Sequence, residues 1–95
     1  NAEIGILFGS VLAKEDYHDV DLLIVLGQKQ LNSANKAINE INKTTAKKIH
    51  AIKQTKEDLT ANLKEKNKVI IQILKTGIVL FGYAELIKVI QNAAQ

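Results

Sequence analysis

The chain has 95 residues, of which 46% are apolar, and a formal net charge of +3. This length suits one domain with a modest core, and the absence of cysteine excludes a disulfide framework, a thiolate metal site and a cysteine nucleophile. The apolar runs are too short to span a bilayer and the start lacks a signal-peptide pattern, so we expect a cytoplasmic protein with no membrane partner.

The beginning of the sequence suggests that something precedes it. The chain starts at Asn1, contains no methionine, and enters its first apolar run almost at once. We therefore expect residues 1–95 to be a single domain that is a piece of a longer chain, with an upstream segment or domain.

The basic residues are all lysines, 13 in number. Without arginine the chain has no guanidinium fork for a phosphate or a guanine edge, although lysines still hold phosphate as point charges. A solvated lysine-rich surface is the simpler interpretation. Nucleic acid as a partner therefore has only thin support.

Two apolar runs near the start predict two strands. Residues 4–8 (IGILF) suit a buried strand, and residues 20–26 (VDLLIVL) form a second strand that Gly27 ends. Between them, residues 9–18 carry glycine, serine and charged residues, which predicts a turn or short helix followed by a loop.

The middle of the chain predicts a helix and then a strand. Apolar residues at steps of three and four indicate an amphipathic helix over residues 31–45, with Asn32 or Ser33 as its N-cap. Residues 47–54 (KKIHAIKQ) are interpreted as a strand because a strong helix signal follows at once. In that signal Thr55 is a good N-cap with acids in the first turn.

The last third predicts two further helices around one short strand. Residues 68–75 form a helix after which Gly77 takes the left-handed C-terminal position. Residues 78–81 (IVLF) form a strand or buried extended segment, and residues 83–93 form a closing helix whose apolar residues are Leu86, Ile87 and Ile90. This element order predicts an α+β layered fold, a mixed sheet of about four strands with helices packed on it.

A glycine-serine pair and two acids stand out for their chemistry. Gly9 and Ser10 follow the first strand, where a glycine permits close backbone approach and a free N–H group favours phosphate. Asp19 and Asp21 lie two apart at the start of the next strand and project to one face. Two like charges so placed are costly unless something positive lies between them, and carboxylate oxygens suit Mg²⁺ or Mn²⁺. The alternative is hydrogen bonding to loop N–H groups or an ion pair with Lys14.

The stretches LFGS and DVDLLIV resemble the signature of the nucleotidyltransferase superfamily of the polymerase-beta type, specifically its minimal, antitoxin-type members. The segments QTKEDL and LKTGIVLFG are similar to later parts of those proteins. The resemblance implies a nucleotidyltransferase-like fold in which Gly9 and Ser10 bind ATP or another nucleoside triphosphate. It also implies that Asp19 and Asp21 hold the metal ions and that a third acid on a later strand completes the catalytic set.

The chain departs from that pattern in three places. The spacing from Ser10 to Asp19 is two residues short, and the basic loop residues are reduced to Lys14. The strand expected to carry the third acid has His50 at the best-matching position. His50 is then either a catalytic base or metal ligand, or a surface histidine where the acid has been lost.

Two functions follow. The first is metal-dependent transfer of a nucleotidyl group, with adenylyl as the leading choice, to an acceptor that a partner protein or second domain helps to bind. The second is a catalytically degenerate fold that serves ligand sensing, regulation or antitoxin-type interaction, attached to a DNA-binding domain. The sequence leaves open the acceptor, the metal and whether the chain forms a homo-oligomer.

Overall fold

The structure is a computed structural model and describes residues 2–9 and 19–95. These residues form four strands and four helices, which in chain order are β1 (Ile4–Phe8), β2 (Asp19–Val25), α1 (Leu31–Thr44), β3 (Lys48–Gln54), α2 (Lys56–Lys64), α3 (Lys68–Thr76), β4 (Ile78–Phe81) and α4 (Tyr83–Ala93). The predicted α+β fold with a four-stranded mixed sheet is confirmed. Within the described ranges, no helix combines the length and the apolar character that crossing a membrane requires.

The sheet has the strand order β3-β2-β1-β4. β1 pairs antiparallel with both β2 and β4, whereas β2 and β3 run parallel. The parallel pair needs a crossover, which α1 supplies. This order leaves β3 and β4 at the two edges of the described sheet.

The core lies on one face of the sheet, beneath α2, α3 and α4. Ile4 and Ile6 of β1 oppose Val25 and Leu23 of β2, and all four are almost completely buried. The helices close this layer with the buried residues Leu59, Ile70, Ile73, Leu86 and Val89. α1 packs on the other face, where Ile24 and Leu26 line a cleft with it.

α2 begins where the sequence predicts. The Thr55 hydroxyl accepts a hydrogen bond from the Asp58 N–H at 3.1 Å, and the Asp58 carboxylate accepts one from the Thr55 N–H at 3.1 Å. This capping box satisfies two N–H groups that a helix start leaves unpaired. It holds Leu59, which is completely buried, in the core.

Two predicted helix ends are wrong. The N-cap position of α1 is Gln30, without a side-chain cap, rather than Asn32 or Ser33, because a 3₁₀ turn over Gln28–Gln30 already starts the helical path. Gly77 is extended, with φ −78° and ψ 167°, instead of left-handed. The chain enters β4 at the next residue, so an extended backbone leads directly into the strand.

The structure also shows which apolar residues of α4 face the core. The structure buries Leu86 and Val89, whereas Ile87 and Ile90 are 37% and 39% exposed. α4 starts at Gly82, whose φ is +79°, and a Cβ there would lie 2.0 Å from the Glu3 carbonyl oxygen. Gly82 therefore lies against the backbone at the start of β1, and α4 directs Leu86 and Val89 into the core while the neighbouring apolar stripe faces outward.

Candidate functional site

The end of β1 meets the beginning of β2 at one end of the sheet. Phe8 pairs with Asp21 across the two antiparallel strands, so Gly9 comes directly after this pair. Its φ is +84°, and a Cβ added to Gly9 would lie 2.2 Å from Asp21 Oδ2. Only glycine fits this backbone without strain and leaves room for the carboxylate.

The two acids lie on the helix-covered face of the sheet. Side chains alternate along a strand, so Asp19 and Asp21 share a face with the buried Leu23 and Val25. The two acids therefore extend the row of core-facing side chains of β2 beyond the buried part of the strand. The Asp19 side chain is 40% exposed, which leaves its oxygens accessible while one side of the strand stays packed.

His50 joins this group from β3. The parallel register places His50 opposite Asp21, and His50 Nε2 lies 3.2 Å from Asp19 Oδ2. The imidazole therefore contacts the first acid of the Asp-x-Asp pair while it stands beside the second. It occupies the part of β3 in which the resemblance implies a third acid.

The structure thus brings together four of the five residues singled out by the sequence: Gly9, Asp19, Asp21 and His50. Ser10, the fifth, lies outside the described residues, as do Lys14 and the predicted turn or short helix that contains both. Carboxylate oxygens on one face are donors of the kind that Mg²⁺ and Mn²⁺ prefer. In residues 2–9 and 19–95, no group of three or more His, Cys, Asp or Glu side chains is arranged to hold a metal ion.

Three acids of the later helices, Glu57, Asp58 and Glu85, lie elsewhere. Asp58 caps α2, and Glu57 lines the groove between α2 and α4. Glu85 is bound by Lys56 at 2.9 Å. Each of these carboxylates therefore has a position away from the Asp19–Asp21 pair.

The opposite end of the sheet holds an ion-pair cluster that sequence reasoning missed. Lys56 Nζ lies 2.7 Å from Glu3 Oε2 and 2.9 Å from Glu85 Oε2. The hydrogen bonds to both carboxylates raise the pKa of Lys56, and the bond from Lys56 lowers the pKa of Glu85. The cluster links the starts of β1, α2 and α4 and so has a structural role.

A second feature without a sequence signal is a cleft of about 510 Å³ beside Gly9. Phe8 and Gly9 form one wall, and the face of α3 that carries Lys68 and Val69 forms the other. The cleft depends on how α3 packs against the end of β1, which local residue patterns do not encode. It provides apolar surface and one cation next to the acid pair.

The chain was compared with protein families, with curated proteins and with solved structures, and none of them matches it.

Proposed function

We propose that this protein is a minimal nucleotidyltransferase, which binds a nucleoside triphosphate and a divalent cation at Gly9, Ser10, Asp19 and Asp21. The observation that carries the proposal is the contact between Gly9 and the Asp21 carboxylate. This close approach supports a site in which backbone able to receive phosphates adjoins oxygens able to hold a cation. Adenylyl from ATP is the group to test first.

Each residue then has a task. Gly9 lets the triphosphate approach the backbone, and Ser10 offers a hydroxyl and an N–H group to its oxygens. Asp19 and Asp21 would hold Mg²⁺ or Mn²⁺, which when bound neutralises phosphate charge and orients the reacting groups. An acceptor hydroxyl oxygen bonds to the α-phosphorus, the bond to the pyrophosphate breaks, and His50 is placed beside the acids to take the hydroxyl proton.

The test measures cation binding and transfer separately. Mn²⁺ binding to the purified chain is followed by calorimetry, and transfer is followed with α-labelled ATP and a candidate partner protein as acceptor. We expect Asp19→Asn/Asp21→Asn to abolish both. Removal of the like-charge pair should leave the fold intact or slightly more stable, by a fraction of about 1 kcal/mol.

A matched control removes two acids at a distance from the site. Glu57→Gln/Glu65→Gln changes the net charge by the same amount but affects only the two ends of α2, its first turn and its C-cap. An isotherm that the Asp19→Asn/Asp21→Asn variant shares with the wild type would refute the cation site. Loss of binding in both double variants would show a general charge effect instead.

One observation favours a second candidate, a ligand-binding regulatory module without catalysis. His50 contacts Asp19, so the place implied for a third acid carries an imidazole that cannot bridge two Mg²⁺ ions as a carboxylate does. Nucleotide and Mn²⁺ binding without label transfer to any acceptor would support this candidate over the enzyme.

A further inference from the structure

The cleft beside Gly9 has the size and the lining of a site for a small aromatic ligand. Its volume of about 510 Å³ lies in the range of roughly 300–1,000 Å³ that ligand pockets occupy. Phe8, Val69 and Ile73 give it apolar surface, and Val69 is 61% exposed, so much of that surface is open to a ligand. An aromatic ring, aliphatic side chains and a few polar groups are the usual lining of such pockets.

The polar groups that α3 contributes to the cleft differ in how they are bound. The Thr76 hydroxyl donates to the Gln72 carbonyl oxygen at 2.8 Å, so it is engaged within the helix. The Gln72 carboxamide has no hydrogen-bond partner among residues 2–9 and 19–95. A carboxamide presents a donor beside an acceptor, and adenine presents the matching pair with its amino group and the neighbouring ring nitrogen.

The cleft and the acid pair adjoin each other at Gly9. This residue lines the cleft and also lies against the Asp21 carboxylate. Gly77, which joins α3 to β4, packs against the end of β1, since a Cβ there would be 2.9 Å from the Leu7 carbonyl oxygen. The wall that α3 forms is therefore next to the strand end that carries Gly9.

We propose that this cleft is the subsite for the nucleobase of the triphosphate and that Gln72 selects adenine. The inference rests on the proposed function, because the base reaches the cleft only if the phosphates lie at Gly9. Two described surfaces adjoin Gly9. The one with Asp19, Asp21 and His50 is polar and has to hold the cation and admit the acceptor. The cleft is the other, and its apolar surface with one unpaired carboxamide is complementary to a base ring and its edge.

The base should therefore add affinity that the triphosphate alone lacks. Stacking of a base on an aromatic side chain contributes roughly five- to 150-fold in affinity. A carboxamide bonded to the adenine edge discriminates against other bases by roughly fivefold or more. We expect ATP to bind about tenfold or more tightly than inorganic tripolyphosphate, and about fivefold or more tightly than GTP, CTP or UTP.

Calorimetry with Mn²⁺ and either ATP or inorganic tripolyphosphate tests the subsite. Gln72→Leu keeps the size of the side chain and removes its amide, so it should weaken ATP binding by roughly fivefold and leave tripolyphosphate binding unchanged. The matched control is Gln91→Leu, the same substitution at an exposed position of α4, which should bind ATP like the wild type.

The outcomes separate this inference from the function on which it rests. Equal affinities of the wild type for ATP and tripolyphosphate would overturn the base subsite and leave the phosphate and cation site in place. Binding of neither ligand would overturn both. Equal ATP affinities of Gln72→Leu and Gln91→Leu would overturn the selection of adenine by Gln72.

A photoreactive ATP that carries an azide on its base locates the base without any substitution. Trypsin cleaves after lysine, so residues 69–75 leave as one peptide that contains Val69, Gln72 and Ile73. After illumination in the presence of Mn²⁺, mass spectrometry should find the label on this peptide, and unlabelled ATP should compete it away. Label on peptides of α1 or α4 instead would overturn the proposal.

Discussion

Replacement of Gly9 by alanine tests the geometry on which the candidate site depends. The backbone has φ +84° at this residue, and a left-handed conformation costs an alanine about 1–2 kcal/mol. The new Cβ would also lie 2.2 Å from Asp21 Oδ2, so the carboxylate must leave its rotamer at about 1 kcal/mol. Alanine also lowers the conformational entropy of the unfolded chain, which offsets about 0.4–1 kcal/mol of this destabilisation.

We therefore expect Gly9→Ala to lower the free energy of unfolding by roughly 2 kcal/mol. For a domain of this size, that lowers the midpoint of thermal unfolding by about 8–15 °C. Circular dichroism measures this midpoint. Gly27→Ala is the matched control, because Gly27 has a φ of −68° and its nearest neighbour is the movable end of Gln30 at 3.2 Å. Gly27→Ala should change stability by no more than about 0.5 kcal/mol.

A double-mutant cycle separates the two contributions. In an Asp21→Ala background the contact with the carboxylate is gone, so Gly9→Ala should cost about 1 kcal/mol less than in the wild type. Mn²⁺ affinity should fall in Gly9→Ala because the displaced carboxylate no longer aligns with Asp19. If Gly9→Ala costs no more than Gly27→Ala, or costs the same in both backgrounds, the placement of Gly9 against Asp21 is wrong.

Three further predictions concern His50, the cap of α2 and the ion pair of Glu85 with Lys56. His50→Asp should strengthen Mg²⁺ binding by adding a carboxylate beside Asp21, and an unchanged calorimetric affinity would place His50 outside the site. Thr55→Ala should lower the free energy of unfolding by about 1 kcal/mol through loss of the cap of α2, and an unchanged urea midpoint would contradict this. Lys56 lowers the pKa of Glu85 in the folded protein. The ion pair therefore stabilises the fold at pH values above the ordinary carboxyl pKa of 4.5, and this stabilisation is lost as the pH falls through the lowered pKa of Glu85. Thermal unfolding of Glu85→Gln should therefore depend less steeply on pH in acid than that of the wild type, and equal slopes would refute the coupling.

The positions of the strands and helices were largely predictable, because a local pattern of residues indicates each of them. β1, β4 and α4 have the predicted bounds, and Thr55 caps α2 as its neighbours indicate. The rotation of α4 was not predictable in the same way. Leu86 and Ile87 are adjacent apolar residues, as are Val89 and Ile90, so two stripes about 100° apart are equally apolar. Packing of Leu86 and Val89 into the core distinguishes the two stripes, and that packing is not local.

The candidate site was also predictable only where local patterns determine it. Side-chain alternation predicts that Asp19 and Asp21 share a face, and a return of the chain beside β1 predicts that Gly9 lies near them. The contact between His50 and Asp19 depends on the parallel register of β2 and β3. The ion-pair cluster depends on Lys56 meeting acids from both ends of the chain. Neither pairing has a signal within a short window of sequence.

The way in which α1 is attached has a consequence for motion. No residue of α1 is buried, and Ile41 on its apolar stripe is 44% exposed, so little apolar area holds the helix to the sheet. A segment with so few buried contacts opens at a much lower free energy than global unfolding requires. The amide hydrogens of α1 should therefore exchange with solvent through local detachment of the helix. Those of β1 should exchange only when the whole domain unfolds. Each detachment also breaks the two hydrogen bonds between the Asn42 side chain and the Ile49 backbone, so these outer groups of β3 become available for pairing for as long as α1 is open.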